Sequence, residues 1–176
     1  MDGREPNLSP SARIARNATV VGDVEIGADA TILFNATLRG DLDRKIIIGD
    51  RTNVQELACI HVPMDADTII GDDVSVGHGA ILHGCTIGNG SLIGMGAIVL
   101  DGARIGERCL VGAGALVTGK ADIPDGMLVI GSPAKAIRKL TEEELESIAD
   151  NAAEYVRIGK DLAEQGLLEE GYAANR

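Results

Sequence analysis

The chain contains three histidines, His61, His78 and His83, and their side chains are the groups in this sequence best suited to bind a metal ion. Imidazole nitrogens bind zinc at about 2.0–2.1 Å, and three imidazoles leave a fourth position open for water, which is the pattern of a catalytic zinc site. The same side chains could instead be exposed to solvent, or buried with polar partners, and bind no metal. The choice depends on where the fold places them.

An aliphatic residue recurs every six positions through most of the chain, and this repeat predicts the fold. A period of six fits neither an α-helix nor a simple alternating strand. It fits short strands joined by tight corners, where glycine and other small residues allow sharp turns. Three hexads per coil build a triangular prism with aliphatic side chains stacked inside. The repeating sites are Ile14, Val20, Ile26, Ile32, Leu38, Ile48, Val54, Ile60, Ile70, Val76, Leu82, Ile87, Ile93, Val99, Ile105, Val111, Val117 and Ile123.

These sites form three columns, one for each face of the prism, and predict six coils over residues 14–132. The residues that directly follow one column include Arg39, His61 and His83, on consecutive coils. Because adjacent strands lie about 4.8 Å apart, His61 and His83 can bind one ion. The breaks in the six-residue spacing follow the same column, and loops inserted into a regular scaffold often carry function. The stacked pair therefore favours a metal site over histidines that bind no metal.

His78 belongs to another part of the prism. It stacks with Glu56, beside Gln55, around a corner from the stacked pair, and cannot easily reach that pair within one chain. If prisms pack side by side around a three-fold axis, the edge of one subunit that carries the pair could face the strip of the next subunit that carries His78. Closed cyclic symmetry would then create three equivalent sites.

The C-terminal part of the chain is predicted to cap the prism. Residues 133–140 are expected to form a turn that ends the coils. A helix is expected over 141–165, because Thr141 and Glu144 fit a capping box at its start and apolar residues follow at helical spacing. Residues 166–176 are expected to be a frayed tail.

Composition limits the function further. The 176 residues include 27 acidic and 16 basic side chains, and the net charge of −11 argues against nucleic acid or an anionic membrane as the main partner. No run approaches the ~20 apolar residues of a membrane span, and the N-terminus lacks a signal-peptide pattern, so a cytoplasmic location is expected. The three cysteines suggest neither a disulfide framework nor a zinc cluster, and are expected to be small buried residues. Residues 1–176 are predicted to be one domain.

Four segments carry a more specific pattern: Arg39-Gly40-Asp41, Asn53-Val54-Gln55-Glu56, His61, and Gly77-His78-Gly79-Ala80-Ile81-Leu82-His83-Gly84-Cys85. Together they resemble the gamma-class carbonic anhydrase family. The resemblance extends to the Gly131-Ser132-Pro133-Ala134-Lys135 turn and the C-terminal helix. It implies an all-β fold, a left-handed parallel β-helix of hexapeptide repeats capped by a long C-terminal α-helix.

The resemblance also implies a homotrimer with a metal ion at each interface, bound by His61 and His83 of one subunit and by His78 of the next. The ion would be Zn2+, with Fe2+ or Co2+ as alternatives that three imidazoles also suit. A metal-bound hydroxide would then hydrate CO2 reversibly to bicarbonate.

Further roles follow from the same resemblance. Asp41 and Gln55 would orient the hydroxide and the substrate, Asn53 matches another polar position of the active site, and Tyr155 matches a tyrosine that reaches the site from the helix.

Two features depart from the family pattern. Arg39 would form an intersubunit ion pair with Glu56, where the family usually has aspartate. The loop 62–67 is short and contains no glutamate to export protons, so we expect proton transfer to limit the rate and the activity to be low. The two aspartates of this loop and Tyr155 are candidate relays.

Two other functions fit the repeat. A hexapeptide-repeat acyltransferase would transfer an acyl group from CoA with one histidine as general base, and would need no stoichiometric metal. A metal-binding trimeric scaffold would bind the ion but have little or no activity. Metal content and the rate of CO2 hydration distinguish the three functions.

Overall fold

The structure, a computed structural model, describes residues 4–171 and is a left-handed parallel β-helix with one C-terminal helix, which confirms the predicted fold class. The helix α1 spans Glu142–Glu164. In chain order the strands are β1 (Asn7–Leu8), β2 (Arg13–Ala15), β3 (Thr19–Gly22), β4 (Val24–Ile26), β5 (Thr31–Ile32), β6 (Thr37–Gly40), β7 (Ile46–Ile48), β8 (Asn53–Val54), β9 (Cys59–His61), β10 (Thr68–Ile70), β11 (Ser75–Val76), β12 (Ile81–His83), β13 (Thr86–Ile87), β14 (Leu92–Ile93), β15 (Ile98–Val99), β16 (Arg104–Ile105), β17 (Leu110–Val111), β18 (Leu116–Val117), β19 (Asp122–Ile123), β20 (Met127–Gly131), β21 (Ala134–Lys139) and β22 (Leu168–Glu170).

The strands form three sheets, one for each face of the prism. Sheet A has the order β1-β4-β7-β10-β13-β16-β19, and sheet C has the order β18-β15-β12-β9-β6-β3. Sheet B has the order β21-β20-β17-β14-β11-β8-β5-β2-β22, and its two outermost strands are the antiparallel ones. Successive coils therefore pair in parallel, and each coil contributes one strand to each face.

The core is the predicted stack of aliphatic side chains. Every six-residue site is buried except Val20, which is partly buried on the edge strand of sheet C. Leu8 and Val129 continue the same spacing at the two ends, and their strands pair with the neighbouring coils. The β-helix therefore has about seven turns, one more than the six coils predicted from the sequence.

Both ends of the prism contain strands that the sequence pattern did not predict. Residues 133–140, expected as a turn, include β21, which pairs antiparallel with β20. The segment 166–176, expected as a frayed tail, includes β22, which pairs antiparallel with β2. Both strands bond to free edges of sheet B, where pairing is set by backbone hydrogen bonds and not by core burial, so no hexad marks them. Residues 172–176 lie outside the described residues.

Helix α1 lies across the outer face of sheet B and contacts β2, β5, β8 and β11. Its buried residues are Ile148, Ala152 and Gly159. A Cβ atom on Gly159 would lie 2.3 Å from the hydroxyl oxygen of Thr31, so only glycine allows this close approach between helix and sheet. Within residues 4–171, no helix combines the length and apolar composition of a membrane span.

The start of α1 is a capping box that an arginine reinforces. Thr141 and Glu144 exchange hydrogen bonds, and both guanidinium nitrogens of Arg138 donate to the Glu144 carboxylate at 2.7 Å. Hydrogen bonds from Arg138, with further ones at Thr141, lower the pKa of Glu144 to about 2. The Glu144 carboxylate thus remains charged at pH values well below the ordinary pKa of a glutamate.

This low pKa predicts a pH-dependent contribution to stability. Because the pKa of Glu144 is near 2 when folded and about 4.3 when unfolded, its contribution is complete above about pH 5 and is lost as the pH falls toward 2. The melting temperature of Glu144→Gln should therefore fall less between pH 6 and pH 3 than that of the unmodified protein. Glu143→Gln, on the exposed side of the same turn, is the matched control. Equal pH dependence in the two variants would contradict the prediction.

Candidate metal centre

The residues Arg39, His61 and His83 occupy neighbouring positions on three consecutive strands of sheet C, as the six-residue repeat predicts. The two imidazole rings are 5.1 Å apart between centroids. The Nδ1 atom of His61 lies 3.1 Å from the Nε2 atom of His83. The parallel register of sheet C thus turns one nitrogen of each ring toward the other.

The outer nitrogens of both rings are bonded to carboxylates. His61 Nε2 lies 2.8 Å from Asp41 Oδ1, and His83 Nδ1 bonds to Asp101 Oδ1. An imidazole that donates its only proton to a carboxylate presents a lone pair on its other nitrogen. The two inner nitrogens therefore face each other across one gap, in which a metal ion can bind.

The gap between the two histidines fits a metal ion. Two nitrogens bound at 2.0–2.1 Å to a tetrahedral ion lie about 3.3 Å apart, close to the 3.1 Å found between His61 and His83. Carboxylates on the outer nitrogens are also typical of histidines that bind metals. The pair supplies two ligands, so a complete site needs at least one more.

Asp41 is ionised in this environment. Burial alone would raise its pKa, but hydrogen bonds from His61 and Arg39, together with the positive charge of Arg39, outweigh burial and hold the pKa below its usual value. The carboxylate can therefore accept a hydrogen bond from His61 throughout the neutral range. Within this chain Arg39 pairs with Asp41, and the ion pair between Arg39 and Glu56 of a neighbouring subunit remains a prediction.

His78 lies at the corner between β11 and β12, where the strands of sheet C begin, whereas His61 and His83 lie where those strands end. Its Nδ1 atom is 2.6 Å from Glu56 Oε2, which is the stacking that the repeat predicts. Tyr155 of α1 lies near Glu56 and packs against a small buried cluster that includes Leu33. Burial raises the pKa of the Tyr155 hydroxyl, and the charge of Glu56 raises it further. This hydroxyl therefore remains protonated at neutral pH.

Gln55 and Asn53 join this second group through a buried network. Gln55 Nε2 donates to Asn53 Oδ1 at 3.0 Å, and Asn53 Nδ2 donates to Ser75 Oγ at 2.8 Å. All three side chains are buried on the outer face of sheet B. The network fixes the orientation of the Gln55 amide.

One chain carries two separate clusters of candidate site residues, which are named the first and the second half-site. The first half-site is Arg39, Asp41, His61, His83 and Asp101; the second is Asn53, Gln55, Glu56, His78 and Tyr155. His61 and His83 end strands of sheet C, whereas His78 precedes one, so the half-sites flank this face on opposite sides. Across the described part of the chain, no three side chains of His, Cys, Asp or Glu converge to hold a metal.

Thr68 connects the backbones of the two histidine strands. Its hydroxyl donates to the carbonyl of His61 at 2.6 Å and accepts from the backbone N–H of Gly84 at 2.9 Å. Thr68 is fully buried, so no solvent replaces these bonds.

The substitution Thr68→Val keeps the shape of the side chain and removes both hydrogen bonds. We expect the free energy of unfolding to fall by about 1–3 kcal/mol, because the His61 carbonyl and the Gly84 N–H lose their short bonds to Thr68 and keep only the long bond between them, at 3.4 Å. Chemical denaturation measures this change. Thr86→Val, at a partly exposed position on sheet A, is the control and should change stability little. A loss no larger than that of the control would contradict this account of Thr68.

Among the described residues, no cysteine joins a cluster of potential metal ligands. Cys85 is buried, and burial raises the pKa of its thiol to about 12, so it is not a thiolate at neutral pH. Cys109 is buried as expected, but Cys59 is exposed. It directly precedes the buried Ile60 and therefore points outward. Asp67, one of the candidate relays, accepts a hydrogen bond from the backbone N–H of Lys45 and holds the loop.

The sequence pattern identifies neither Asp101 of the first half-site nor Thr68 beside it. Thr68 is a core threonine at the start of β10, and Asp101 lies in a corner, where aspartate is common for conformational reasons. The only available signal was position. Both lie one coil or one loop away from a histidine of the pair.

Known proteins that are similar to this chain include hexapeptide-repeat proteins and carbonic anhydrases. Residues 84–119 match the family model "Bacterial transferase hexapeptide (six repeats)". The chain is 52% identical over 155 residues to a Methanocaldococcus jannaschii protein named probable carbonic anhydrase, covering 88% of this chain and 97% of that one. It is 38% identical over 163 residues to the mitochondrial gamma carbonic anhydrase 2 of Arabidopsis thaliana, covering 89% of this chain and 58% of that longer protein. A Bacillus cereus crystal structure, provisionally named an acetyltransferase, superposes with a TM-score of 0.92 at 42% identity, covering 94% of this chain and 95% of that one.

Proposed function

Because the chain belongs to the gamma-class carbonic anhydrase family, we propose that it catalyses the reversible hydration of CO2 to bicarbonate at metal centres between the subunits of a homotrimer. The observation that carries this proposal is the position of the two half-sites at the two corners of the prism that border sheet C, one where its strands begin and one where they end. The pair His61 and His83 supplies two ligands, and the neighbour's copy of His78 supplies the third. Zn2+ is the ion we propose, and Fe2+ or Co2+ suit the same three imidazoles.

The surface between the half-sites supports association of this face with further copies. The outward row of sheet C includes Cys59 and Ile81, followed by Ile98 and Leu116 on the next coils. Ile81 is 42% exposed in the single chain, and Leu57 beside the second half-site is 67% exposed. A contiguous exposed apolar row is a feature of interaction surfaces. Edge-to-edge packing around a three-fold axis would cover it and close all three sites.

His61 and His83 of one subunit and His78 of its neighbour would hold the metal ion, which would lower the pKa of a bound water to about 7 and so supply a hydroxide nucleophile at neutral pH. The chain's own residues orient the histidine ligands and the groups that would contact the substrate. Asp41 and Asp101 keep protons on the outer nitrogens of their histidines, so the inner nitrogens remain free to bind. Because Asn53 fixes the Gln55 amide, that amide can hydrogen bond to a nucleophile or to CO2 without first losing rotational freedom.

Proton export is the slow part of the proposed reaction. Loop 62–67 has no glutamate, and Asp67 is occupied in holding the loop. The raised pKa of Tyr155 keeps its hydroxyl protonated at neutral pH, so no phenolate is present there to take up a proton. We therefore expect the hydration rate to increase with the concentration of small imidazole-type buffers, which can carry protons directly from the site.

The test uses the purified chain loaded with Zn2+, Fe2+ or Co2+. We expect about one metal per chain, a trimer in sedimentation, and CO2 hydration in stopped flow that a chelator removes and added metal restores. A metal-bound trimer that does not hydrate CO2 with any of the three ions would indicate a scaffold. Acyl transfer from acetyl-CoA by metal-free protein, without CO2 hydration, would indicate an acyltransferase instead.

A further inference from the structure

Asp101 is an acidic residue outside the motifs of the sequence, and its carboxylate is bonded to His83 Nδ1. We propose that Asp101 is a positioning residue that fixes the tautomer and ring orientation of His83, as Asp41 does for His61. The proposal rests on the proposed function, because it assigns a task within the same metal centre. It goes beyond that function in naming a residue for which the motifs provide no role.

The backbone of Asp101 is held by the coils on both sides. Gly102 N–H donates to the carbonyl of Gly84 at 2.7 Å, which ties the Asp101 corner to the corner that follows His83. On the other side, Lys120 N–H donates to the carbonyl of Asp101 at 3.1 Å. The side chain is 56% exposed, so its position comes from these backbone bonds and from His83 and not from core packing.

The corner after His83 is shaped to admit the Asp101 carboxylate. Gly84 has a positive φ of 57°, and a Cβ atom at this position would lie 3.2 Å from Asp101 Oδ1 and 2.7 Å from Pro63 Cγ. A side chain here would therefore crowd both Pro63 and the carboxylate. Glycine leaves the space through which Asp101 reaches the histidine.

The chemistry of imidazole explains what the contact does. A neutral imidazole carries one proton, and in water either nitrogen can hold it. A carboxylate beside Nδ1 keeps the proton there, so Nε2 keeps its lone pair and points at His61. Without Asp101, the ring would hold the proton on Nε2 for part of the time and would rotate more freely. Either change removes His83 as a ligand for that fraction of molecules.

The first measurement is the Zn2+ affinity of the full-length trimer, determined by competition with a chromophoric chelator. We expect Asp101→Ala to weaken Zn2+ binding by about 10–100-fold, the range for loss of a carboxylate behind a metal-bound histidine. Asp101→Asn should show a smaller loss, because the amide oxygen still accepts from Nδ1. The matched control is Asp122→Asn, which removes the same charge from an exposed position on sheet A. Equal affinities in all three variants would overturn the proposal.

The second measurement is independent of metal and of activity. Nitrogen-15 NMR of the three histidines in metal-free protein, at a pH above their titration, reports which nitrogen of His83 carries the proton. We expect Nδ1 in the unmodified protein and in Asp122→Asn, and a shift toward Nε2 in Asp101→Ala. An unchanged His83 tautomer in Asp101→Ala would overturn the proposal even if affinity fell. A changed tautomer in a protein that does not hydrate CO2 would support the role of Asp101 and reject the enzymatic function.

Discussion

Replacing His78 with alanine should empty every metal site of the trimer and reduce CO2 hydration to the background rate. The proposed site has three ligands, and this substitution removes the one that crosses between subunits. Because loss of a residue behind a ligand already costs 10–100-fold, we expect loss of the ligand itself to exceed about 100-fold in metal affinity and in activity. Metal analysis after dialysis and stopped-flow hydration measure the two effects.

The fold should survive this substitution. The His78 side chain is 41% exposed and lies at a corner, outside the aliphatic core. We therefore expect the circular dichroism spectrum and the cooperativity of unfolding to be unchanged. Stoichiometric metal in a folded His78→Ala protein would reject His78 as a ligand.

Mixing two inactive variants tests whether the site is shared. His78→Ala subunits retain an intact pair, and His83→Ala subunits retain an intact His78. In trimers refolded from an equal mixture, about one interface in four joins the intact pair of one chain to the intact His78 of another. Metal and activity should therefore return to about a quarter of the unmodified level. No recovery in a mixed trimer would contradict an intersubunit site.

The second large effect is expected from Ile81→Glu. This change puts a carboxylate into the outward row of sheet C, which the proposed trimer buries between subunits. Removing the charge from water costs several kcal/mol at each copy, so association should fail. We expect monomers in sedimentation, and loss of metal and activity with them, because no monomer contains a complete site.

Ile69→Glu is the control for this prediction. Ile69 lies on the outward side of sheet A and is 37% exposed, similar to Ile81 at 42%. The proposed trimer leaves sheet A in solvent, so Ile69→Glu should remain trimeric and active. Dissociation of the Ile69→Glu trimer but not of the Ile81→Glu trimer would place the interface on sheet A and contradict the prediction for sheet C.

The parts of the fold that repeat could be predicted from the sequence, and the parts that occur once could not. Burial in a three-sided prism requires an aliphatic side chain every six residues, so the core columns and the alignment of His61 with His83 follow from spacing alone. Strands β21 and β22 bury little and pair antiparallel, so they have no periodic signal.

The same distinction applies to the site. The histidines could be recognised because imidazoles are rare in this chain and their spacing matches the coil. Asp101 could not, because a corner aspartate is usually a solvated turn residue, and only side-chain coordinates reveal its bond to His83. Thr68 was equally inconspicuous, since its role depends on two backbone partners brought together by the loop.

The antiparallel strands at both ends of sheet B have a consequence for how the molecule can grow. A parallel β-helix could in principle be extended indefinitely, because a second molecule stacked end to end would continue its ladder. In sheet B, β21 at one end and β22 at the other run antiparallel to the strands they pair with. A second molecule stacked on either end therefore cannot continue the parallel ladder of this sheet in register. This arrangement disfavours axial polymerisation, and it agrees with the flank-to-flank association of the proposed trimer, which forms closed particles of finite size instead of fibres.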